Sequence, residues 1–267
     1  MRALNAKMQR TYTLRCPASN NWSVSDKPDW ITVEPSSGTG KTDVTITVEK
    51  MARTNKEFEV NVASFQYPEY RNYKGRNGSV TFTLSDKDYT CKLSVEQYDY
   101  DKADGDVITH QTHSAPKGID IVFIGEGYDA KDIVDGKFER DCRNGYKHFF
   151  DIEPYKTYKD YFNVYSVVSQ SDESGIETVN MIIANKFMKN GIRDVDAALS
   201  WARKASIDID LTKTVVILLD NSKNYYGWTN MYSDGSAMSV VPISEESYPP
   251  LKKSLLPSYN PVSIAHI

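Results

Sequence analysis

Polar and apolar residues alternate with period two over much of the first hundred residues. The segments that show it are TYTLRC at 11–16, WSVS at 22–25, WITVEP at 30–35, DVTITVEK at 43–50, SVTFTLS at 79–85 and YTCKLSVEQY at 89–98. In DVTITVEK, for example, Val44, Ile46 and Val48 share one face of a strand. Clusters of turn residues separate the segments, so the pattern predicts an antiparallel β-sandwich.

The pattern changes after residue 118, where continuous apolar runs replace the alternation. IDIVFI at 119–124 and TVVILL at 214–219 are apolar almost throughout, as in strands buried on both faces. Asp129 can cap a helix over 130–150, and Asp194 can cap a second helix in DVDAALSWARKA. Two further elements are predicted, a strand in YFNVYSVV at 161–168 and an apolar helical segment at 176–189. This order of elements predicts an α/β domain with at least partly parallel strands.

A polar stretch over residues 100–117 separates the two patterns and predicts a domain boundary. We therefore expect one domain over residues 8–99 and a second over 118–267, joined by this linker. The stretch contains His110 and His113. Because no Cys or further His lies close by, and because a linker does not hold ligands rigidly, we interpret neither as a metal ligand.

Composition narrows the classes of function. The chain has 267 residues, a net charge of −4 and a pI near 5.7, which gives no electrostatic case for binding nucleic acid. No apolar run approaches the ~20 residues of a transmembrane helix. Cys16, Cys91 and Cys142 form neither a disulfide framework nor a zinc knuckle. No apolar signal-peptide core follows MRALNAKMQR, so we expect either a cytoplasmic protein or a true start upstream of Met1.

Motifs of familiar hydrolases and nucleotide enzymes are absent from the sequence. There is no G-x-S-x-G or Walker motif, and none of His110, His113, His148 and His266 is followed by Glu. Gly125-Glu126-Gly127 lies where phosphate loops occur, but we interpret it as a tight turn with structural glycines. Carboxylates at predicted strand ends or loops are Glu126, Asp172, Glu173, Asp220 and Asp234. None of these acids carries a function alone, and we assign no catalytic and no metal-binding residue.

The segment WSVSDKPDWITVEPSSGTGKTDVTITVEK resembles the BACON module, the Bacteroidetes-associated carbohydrate-binding often N-terminal domain. The matching features are Trp22, Trp30, Pro35, the turn at Gly38 and Gly40, and the closing Ser-Val-Glu-Gln at 94–97. The resemblance covers residues 10–98 and implies an immunoglobulin-like β-sandwich that attaches to glycans, including mucin-type glycans, or serves as a spacer. Trp22 and Trp30 are its candidate glycan contacts. Core packing is the alternative that we favour for both rings.

The region from 117 to 247 resembles the zinc metallopeptidase family named after IgA peptidase. The matching features are the strand that ends in Gly-Glu-Gly-Tyr, Glu153-Pro154-Tyr155, the strand YFNVY, Glu173-Ser174-Gly175, and the apolar strand that leads to Tyr226-Gly227. The resemblance implies a zincin-like α/β domain, a protein or glycoprotein substrate and an extracellular or cell-surface location. It also implies zinc as the cofactor of the complete protein. The expected fold class is thus multidomain α+β, a sandwich followed by an incomplete zincin-like domain.

The sequence departs from that family at the catalytic unit. The family's H-E-x-x-H helix lies downstream of the Tyr-Gly block, whereas this chain ends in SYNPVSIAHI, with His266 next to last. We expect a truncated or partial zinc metallopeptidase that binds no catalytic zinc and is inactive as it stands. A natural truncation, a fragment of a longer active chain and a non-catalytic protein remain open. The alternative function is a glycan- or protein-binding surface protein.

One loop remains as a candidate site. Residues Asp220–Asp234 follow a buried strand and leave the sheet at its carboxyl end, where α/β sheets bind ligands. The loop contains Tyr225, Tyr226, Gly227, Trp228 and Tyr232. We expect these residues to line a substrate cleft, with at least two of the four rings largely exposed and Gly227 required by the backbone. Packing of the rings into the core is the alternative.

Overall fold

The computed structural model describes residues 1–52, 75–85, 89–114, 118–175, 186–189, 192–222 and 227–243. These residues form two compact units, one up to Ala103 and one from Asp104 onward. The described residues form more strand than helix. In the first unit they form only strands, as the sequence predicts for its N-terminal part.

The first unit contains eight strands among its described residues. They are β1 (Arg2–Ala3), β2 (Met8–Leu14), β3 (Asn21–Asp26), β4 (Ile31–Glu34), β5 (Ser37–Thr39), β6 (Thr42–Val48), β7 (Arg76–Leu84) and β8 (Thr90–Gln97). One sheet has the order β1-β8-β7-β3-β5 and the other the order β2-β6-β4. All neighbours are antiparallel except β1 and β8, which are parallel.

Apolar residues of both sheets meet in one core, because alternate residues of each strand point to the same face. In β4, Ile31 and Val33 are buried while their neighbours are exposed. Trp22 is the largest fully buried side chain among the described residues, and its ring packs edge-on against Phe82 at 6.0 Å. A Cβ atom on Gly38 would lie 2.8 Å from the Trp22 ring, so a glycine at this position lets the ring reach the core.

The second unit contains eight strands and three α-helices among its described residues. The strands are β9 (Val107–Gln111), β10 (Ile119–Glu126), β11 (Phe162–Val167), β12 (Met188–Lys189), β13 (Ile192–Arg193), β14 (Thr214–Asp220), β15 (Trp228–Met231) and β16 (Ala237–Pro242). The helices are α1 (Ala130–Val134), α2 (Lys137–Phe149) and α3 (Val195–Ala202).

Six of these strands form one sheet, in the order β15-β16-β14-β10-β11-β9. The four inner strands are parallel, and the strand at each edge is antiparallel to its neighbour. The carboxyl ends of β10, β11, β14 and β16 therefore meet at the same edge of the sheet. Strands β12 and β13 form a separate hairpin-like pair.

Helices cover both faces of this sheet. Val122 and Ile124 of β10 belong to a buried cluster with Ala198 and Ala202 of α3. Gly125 faces the opposite side of the sheet from these two residues. A Cβ atom on Gly125 would lie 2.9 Å from the ring of Phe138 in α2, so this helix packs on that face. The apolar runs predicted as strands buried on both faces thus form the middle layer of three.

Several boundaries differ from the sequence-based expectation. The predicted linker 100–117 contains a strand, because 107–111 form the edge strand β9. The predicted helix 130–150 is two helices, separated at Gly136, whose left-handed φ of 77° does not continue a right-handed helix. Of the predicted helical segment 176–189, residues 188–189 form the short strand β12, so the prediction is wrong there, and residues 176–185 lie outside the described part.

Both predicted helix caps are confirmed. The Asp129 carboxylate accepts the backbone N–H of Asp132 at 2.9 Å, and the Asp194 carboxylate accepts that of Ala197 at 3.0 Å. Each bond satisfies an N–H group that has no partner within its own helix. Asp194 thereby fixes the start of α3 directly after β13.

Candidate functional site

The loops that follow β10, β11 and β14 are tied together at the carboxyl edge of the sheet. The backbone N–H of Gly127 donates to the Ser171 hydroxyl at 2.8 Å, and the Asn221 amide donates to the Gly127 carbonyl at 2.7 Å. Gly175 donates its N–H to the same carbonyl at 2.7 Å. Gly127 has a φ of 76°, which favours glycine, so the Gly-Glu-Gly turn is a structural feature of this edge.

Glu126 is the last residue of β10, and its side chain is fully buried. Its Oε2 accepts the backbone N–H of Phe187 at 2.7 Å, which joins the sheet to the segment before β12. Its Oε1 has no hydrogen-bond partner among the described residues. Burial raises the pKa of Glu126 to about 7, and the hydrogen bond from Phe187 opposes this shift.

Asp220 is the last residue of β14 and lies directly beside Glu126 in the parallel register. Its Oδ2 is 3.3 Å from Nη2 of Arg193; the Asp220 side chain is buried, and the Arg193 side chain is 10% exposed. Burial raises the pKa of Asp220, while the Arg193 charge acts in the opposite direction. Within the described part of the chain, Asp220 Oδ1 and Arg193 Nη1 have no hydrogen-bond partner. We call Glu126, Asp220 and Arg193 the edge cluster.

Arg193 connects the edge cluster to the predicted aromatic loop. Its guanidinium carbon lies 5.4 Å from the centre of the Trp228 ring, within the range of a cation–π contact. Trp228 itself is 43% exposed at the start of the edge strand β15. The structure therefore brings one ring of the loop to the carboxyl edge, next to buried charges.

The other loop residues have different positions. Tyr232 is half-buried against the core that includes α3, and its hydroxyl has no partner in the part of the chain that the structure describes. Gly227 is exposed immediately before β15. Tyr225 and Tyr226 lie outside the described residues. That two of the four rings are exposed, and that Gly227 is a backbone requirement, therefore stay predictions.

His110 is a polar residue whose position sequence reasoning missed. The register between β9 and β11 pairs Gln111 with Val164 and Thr109 with Tyr165, so His110 is the extra residue of a bulge. Its Nε2 lies 2.8 Å from the Ser166 hydroxyl. Burial, with a smaller contribution from the Arg143 charge, lowers the pKa of His110 to about 4, so the ring is neutral at physiological pH.

Little in the sequence could have revealed this arrangement. The strand VITHQ has two apolar residues and follows a polar stretch, so it lacks the signature of a strand in a packed sheet. His113 lies in the same predicted linker. Its backbone N–H donates to the Asn163 side chain at 2.8 Å, beside β11.

The two candidate glycan contacts in the sandwich are not equivalent. Trp22 is 1% exposed in the core, so no ring face is open to a glycan. Trp30 is half-buried, and the Arg76 guanidinium covers its ring at 4.3 Å. These positions agree with core packing for Trp22 and leave only part of Trp30 accessible.

A pocket of about 150 Å³ opens at one end of the sandwich, beside Trp22. Its lining includes Arg15, Cys16, Phe82, Tyr89 and Cys91. Tyr89 lines this pocket and is 66% exposed, whereas Trp22 is buried.

No described residues fit a catalytic zinc. Within the described ranges, no three His, Cys, Asp or Glu side chains converge as a metal would require. Glu126 and Asp220 come together, but they are two potential ligands where a catalytic zinc needs three, and Asp220 is already paired with Arg193. In the same part of the chain, no helix is long and apolar enough to cross a membrane.

Comparison with known families defines a modular protein, a binding-type module followed by a metallopeptidase-type domain. The model of the IgA Peptidase M64 family matches residues 108–243, just over half of the chain, and the chain belongs to this family. The BACON model, described as a putative binding domain, N-terminal, matches residues 20–98. Both resemblances in the sequence are thus confirmed, and the peptidase match begins inside β9 rather than after a linker.

Similarity to individual proteins is weak. A Bacteroides ovatus GH5 xyloglucanase in complex with a XXXG heptasaccharide is 15% identical, over 82% of this chain and 43% of that one, with a TM-score of 0.28. A family 123 glycoside hydrolase from Clostridium perfringens is 12% identical over 82% and 43%, with a TM-score of 0.24. The chain therefore spans less than half the length of either structure, and neither supports an argument about function. No curated protein matches the chain.

Proposed function

We propose that this chain carries the substrate-recognition part of a zincin-like metallopeptidase domain that acts on a protein or glycoprotein outside the cell. The observation that supports the proposal most is the family match over residues 108–243, which includes the whole carboxyl edge and the aromatic loop. The 267 residues contain no H-E-x-x-H sequence, and no described residues fit zinc. By itself the chain is therefore proposed to bind peptide without cleaving it.

Recognition would take place at the carboxyl edge of the sheet. Trp228 presents an exposed ring there, and Arg193 supports it from the edge cluster. Four consecutive residues of β15 are exposed, so side chains of a peptide can reach this strand. Ring faces of this kind contribute binding energy at protein surfaces because they add large apolar area at low entropic cost.

The experiment measures peptide binding and cleavage with the same purified chain. We expect a peptide library to be retained but not cleaved, with or without added zinc, and Trp228→Ala to reduce retention. Tyr158→Ala is the matched control, because Tyr158 is also exposed, at 54%, but precedes β11 at the opposite end of the sheet. Cleavage that a chelator abolishes would contradict the proposed inactivity. Unchanged retention of peptide by the Trp228 variant would show that this site does not take part in peptide recognition.

Glycan binding by the sandwich is the second candidate function. It is favoured by the pocket beside Trp22, lined in part by the exposed Tyr89, and by the match to a putative binding domain. Binding of mucin-type glycans would be measured for the full chain and for Tyr89→Ala, with Lys92→Ala as an exposed control on strand β8. Loss of binding in the Tyr89 variant alone would support the pocket, and absence of binding in all three would exclude this candidate.

A further inference from the structure

Asn221 is the first residue after β14, and it holds the start of the aromatic loop at three points. Its backbone N–H donates to the Glu126 carbonyl at 2.9 Å, and its side-chain Nδ2 donates to the Gly127 carbonyl at 2.7 Å. Its Oδ1 accepts the ammonium group of Lys137 at 2.8 Å. The residue is 6% exposed. One buried residue therefore joins the ends of β10 and β14 to the first residue of α2.

Lys137 occupies a position that is unfavourable for a lysine on local grounds. It is the first residue of α2, and the N-terminus of a helix carries a partial positive charge that favours acids over bases. Gly136 at the N-cap contributes no side-chain acceptor. Burial raises the pKa of Asp132 and of Asp141, and the Lys137 charge acts in the opposite direction on both. The hydrogen bond of the ammonium group, however, goes to Asn221.

The chemistry of the amide explains what a lysine contributes here. A side-chain amide can present either its oxygen or its nitrogen to a given neighbour. The lysine ammonium group only donates, so it pairs with Oδ1 of Asn221, and this orientation directs Nδ2 to the Gly127 carbonyl. Nδ2 also lies 3.5 Å from Oδ2 of Asp132. Without the lysine the orientation of the amide is no longer selected, and rotation would remove the Nδ2 donor from Gly127.

We propose that Lys137 is a positioning residue for peptide recognition, because it fixes the Asn221 amide and with it the start of the aromatic loop. The loop is then held at both ends, by Asn221 after β14 and by the contact of Arg193 with Trp228 in β15. The effect of Lys137 on binding rests on the proposed role of this loop in recognition. Helix α2 thereby becomes a support of the binding surface.

A double-mutant cycle on peptide retention by the full chain tests this role. It uses Lys137→Met, Asn221→Leu and their combination, which remove the polar groups and keep the side-chain size. We expect each single variant to weaken retention by roughly 2- to 30-fold and the double variant to weaken it no further. Losses that multiply in the double variant would show that Lys137 acts independently of Asn221, and would overturn the proposal.

Lys131→Met is the matched control, because it removes the same charge from an exposed lysine of α1 that pairs with Asp135. This variant should retain peptide as the wild type does. An equal loss of retention in Lys131→Met and Lys137→Met would show an effect of net charge rather than of position. That result would also overturn the proposal.

Tryptophan fluorescence tests the position of the loop without a peptide. The signal of Trp228 is the difference between a chain and the same chain with Trp228→Phe. We expect Lys137→Met and Asn221→Leu to change this difference spectrum, and Lys131→Met to leave it unchanged, because the place of Trp228 beside Arg193 depends on the loop. If the wild type retains no peptide, the proposed function fails, and this spectrum still decides whether Lys137 positions the loop. An unchanged spectrum in both Lys137→Met and Asn221→Leu would overturn the inference.

Discussion

Glu126 and Asp220 occupy the same register position on the neighbouring strands β10 and β14, and both carboxyl groups are buried. Only Asp220 has a described ion pair, with Arg193 at 3.3 Å. The charges of Arg193 and Lys186 both act on Glu126, but Glu126 forms no ion pair among the described residues. The pKa of Glu126, raised to about 7 by burial, indicates that this acid holds its proton more readily than an exposed one.

Stability should fall with rising pH because of Glu126. Its pKa is about 7 in the folded chain and near 4.5 in the unfolded one, so the folded state binds more protons between these values. The free energy of unfolding therefore decreases as pH rises through this window, by at most on the order of 3 kcal/mol from this group. Denaturant titrations across the window should show a more negative slope in the wild type than in Glu126→Gln. The variant keeps the contributions of Asp141, whose pKa burial raises to about 6, and of His110, which acts in the opposite direction.

Asp210→Asn is the control for this measurement. Hydrogen bonds from Lys213 and Thr212 lower the pKa of Asp210 to about 2, so it does not change protonation in the same window. The Asp210 variant should therefore keep the slope of the wild type. A slope that is the same in Glu126→Gln and in the wild type would contradict the assignment to Glu126.

His110 should have the opposite effect. Its pKa is about 4 in the folded chain against 6.5 for an exposed histidine, so the unfolded chain binds more protons between these values. This contribution to stability is complete above pH 6.5 and is lost as pH falls towards 4. An NMR titration of the ring should place the His110 pKa well below 6, and Arg143→Gln should raise it because a nearby positive charge is removed. A titration midpoint near 6.5 would show that the ring is not buried as described.

Local sequence signals predicted the elements that depend on local interactions. The apolar runs at 119–124 and 214–219 form β10 and β14, and Asp129 and Asp194 cap helices, because burial on two faces and helix capping leave a mark in the sequence itself. The sequence of strand β9 contains no comparable local signal, because its place in the sheet depends on pairing with β11 some 50 residues later.

The candidate site could be predicted only in outline. The aromatic loop was found because it follows an apolar strand, but the neighbour relation between Glu126 and Asp220 depends on strand order, which no local pattern contains. Arg193 was missed for the same reason, because its ion pair with Asp220 joins residues that are far apart in the chain. Its contact with Trp228 depends on the position of β15 in the sheet.

The two glycines of the Gly-Glu-Gly turn should be required for different reasons. A Cβ atom on Gly125 would lie 2.8 Å from the Tyr128 ring and 2.9 Å from the Phe138 ring, so Gly125→Ala overpacks a buried site and should cost about 1–3 kcal/mol. Gly127 has a φ of 76°, so Gly127→Ala should cost about 1–2 kcal/mol through backbone strain.

Asparagine distinguishes the two causes. Because Asn adopts the left-handed region more readily than Ala, Gly127→Asn should be less destabilising than Gly127→Ala. At Gly125 the larger side chain should be at least as harmful as Ala, because the constraint there is steric. Denaturant unfolding of the four variants measures both differences. Equal effects of Ala and Asn at Gly127 would argue against strain as the cause.

The tryptophans of the sandwich should affect stability in the order of their burial. Trp22 is 1% exposed and packs against Phe82, so Trp22→Ala leaves a large cavity and should cost about 3–5 kcal/mol. Trp22→Phe should cost less, because it keeps an aromatic ring and removes an indole N–H that is buried without a partner. Trp30 is half-buried beneath Arg76 at 4.3 Å, and Trp30→Ala should cost about 1–2 kcal/mol through lost packing and lost cation–π attraction. Urea unfolding of the full chain, followed by the β-sheet signal, measures the three variants. If Trp22→Ala left stability unchanged while it weakened glycan binding, the ring would be a binding residue, and its burial in the core would be contradicted.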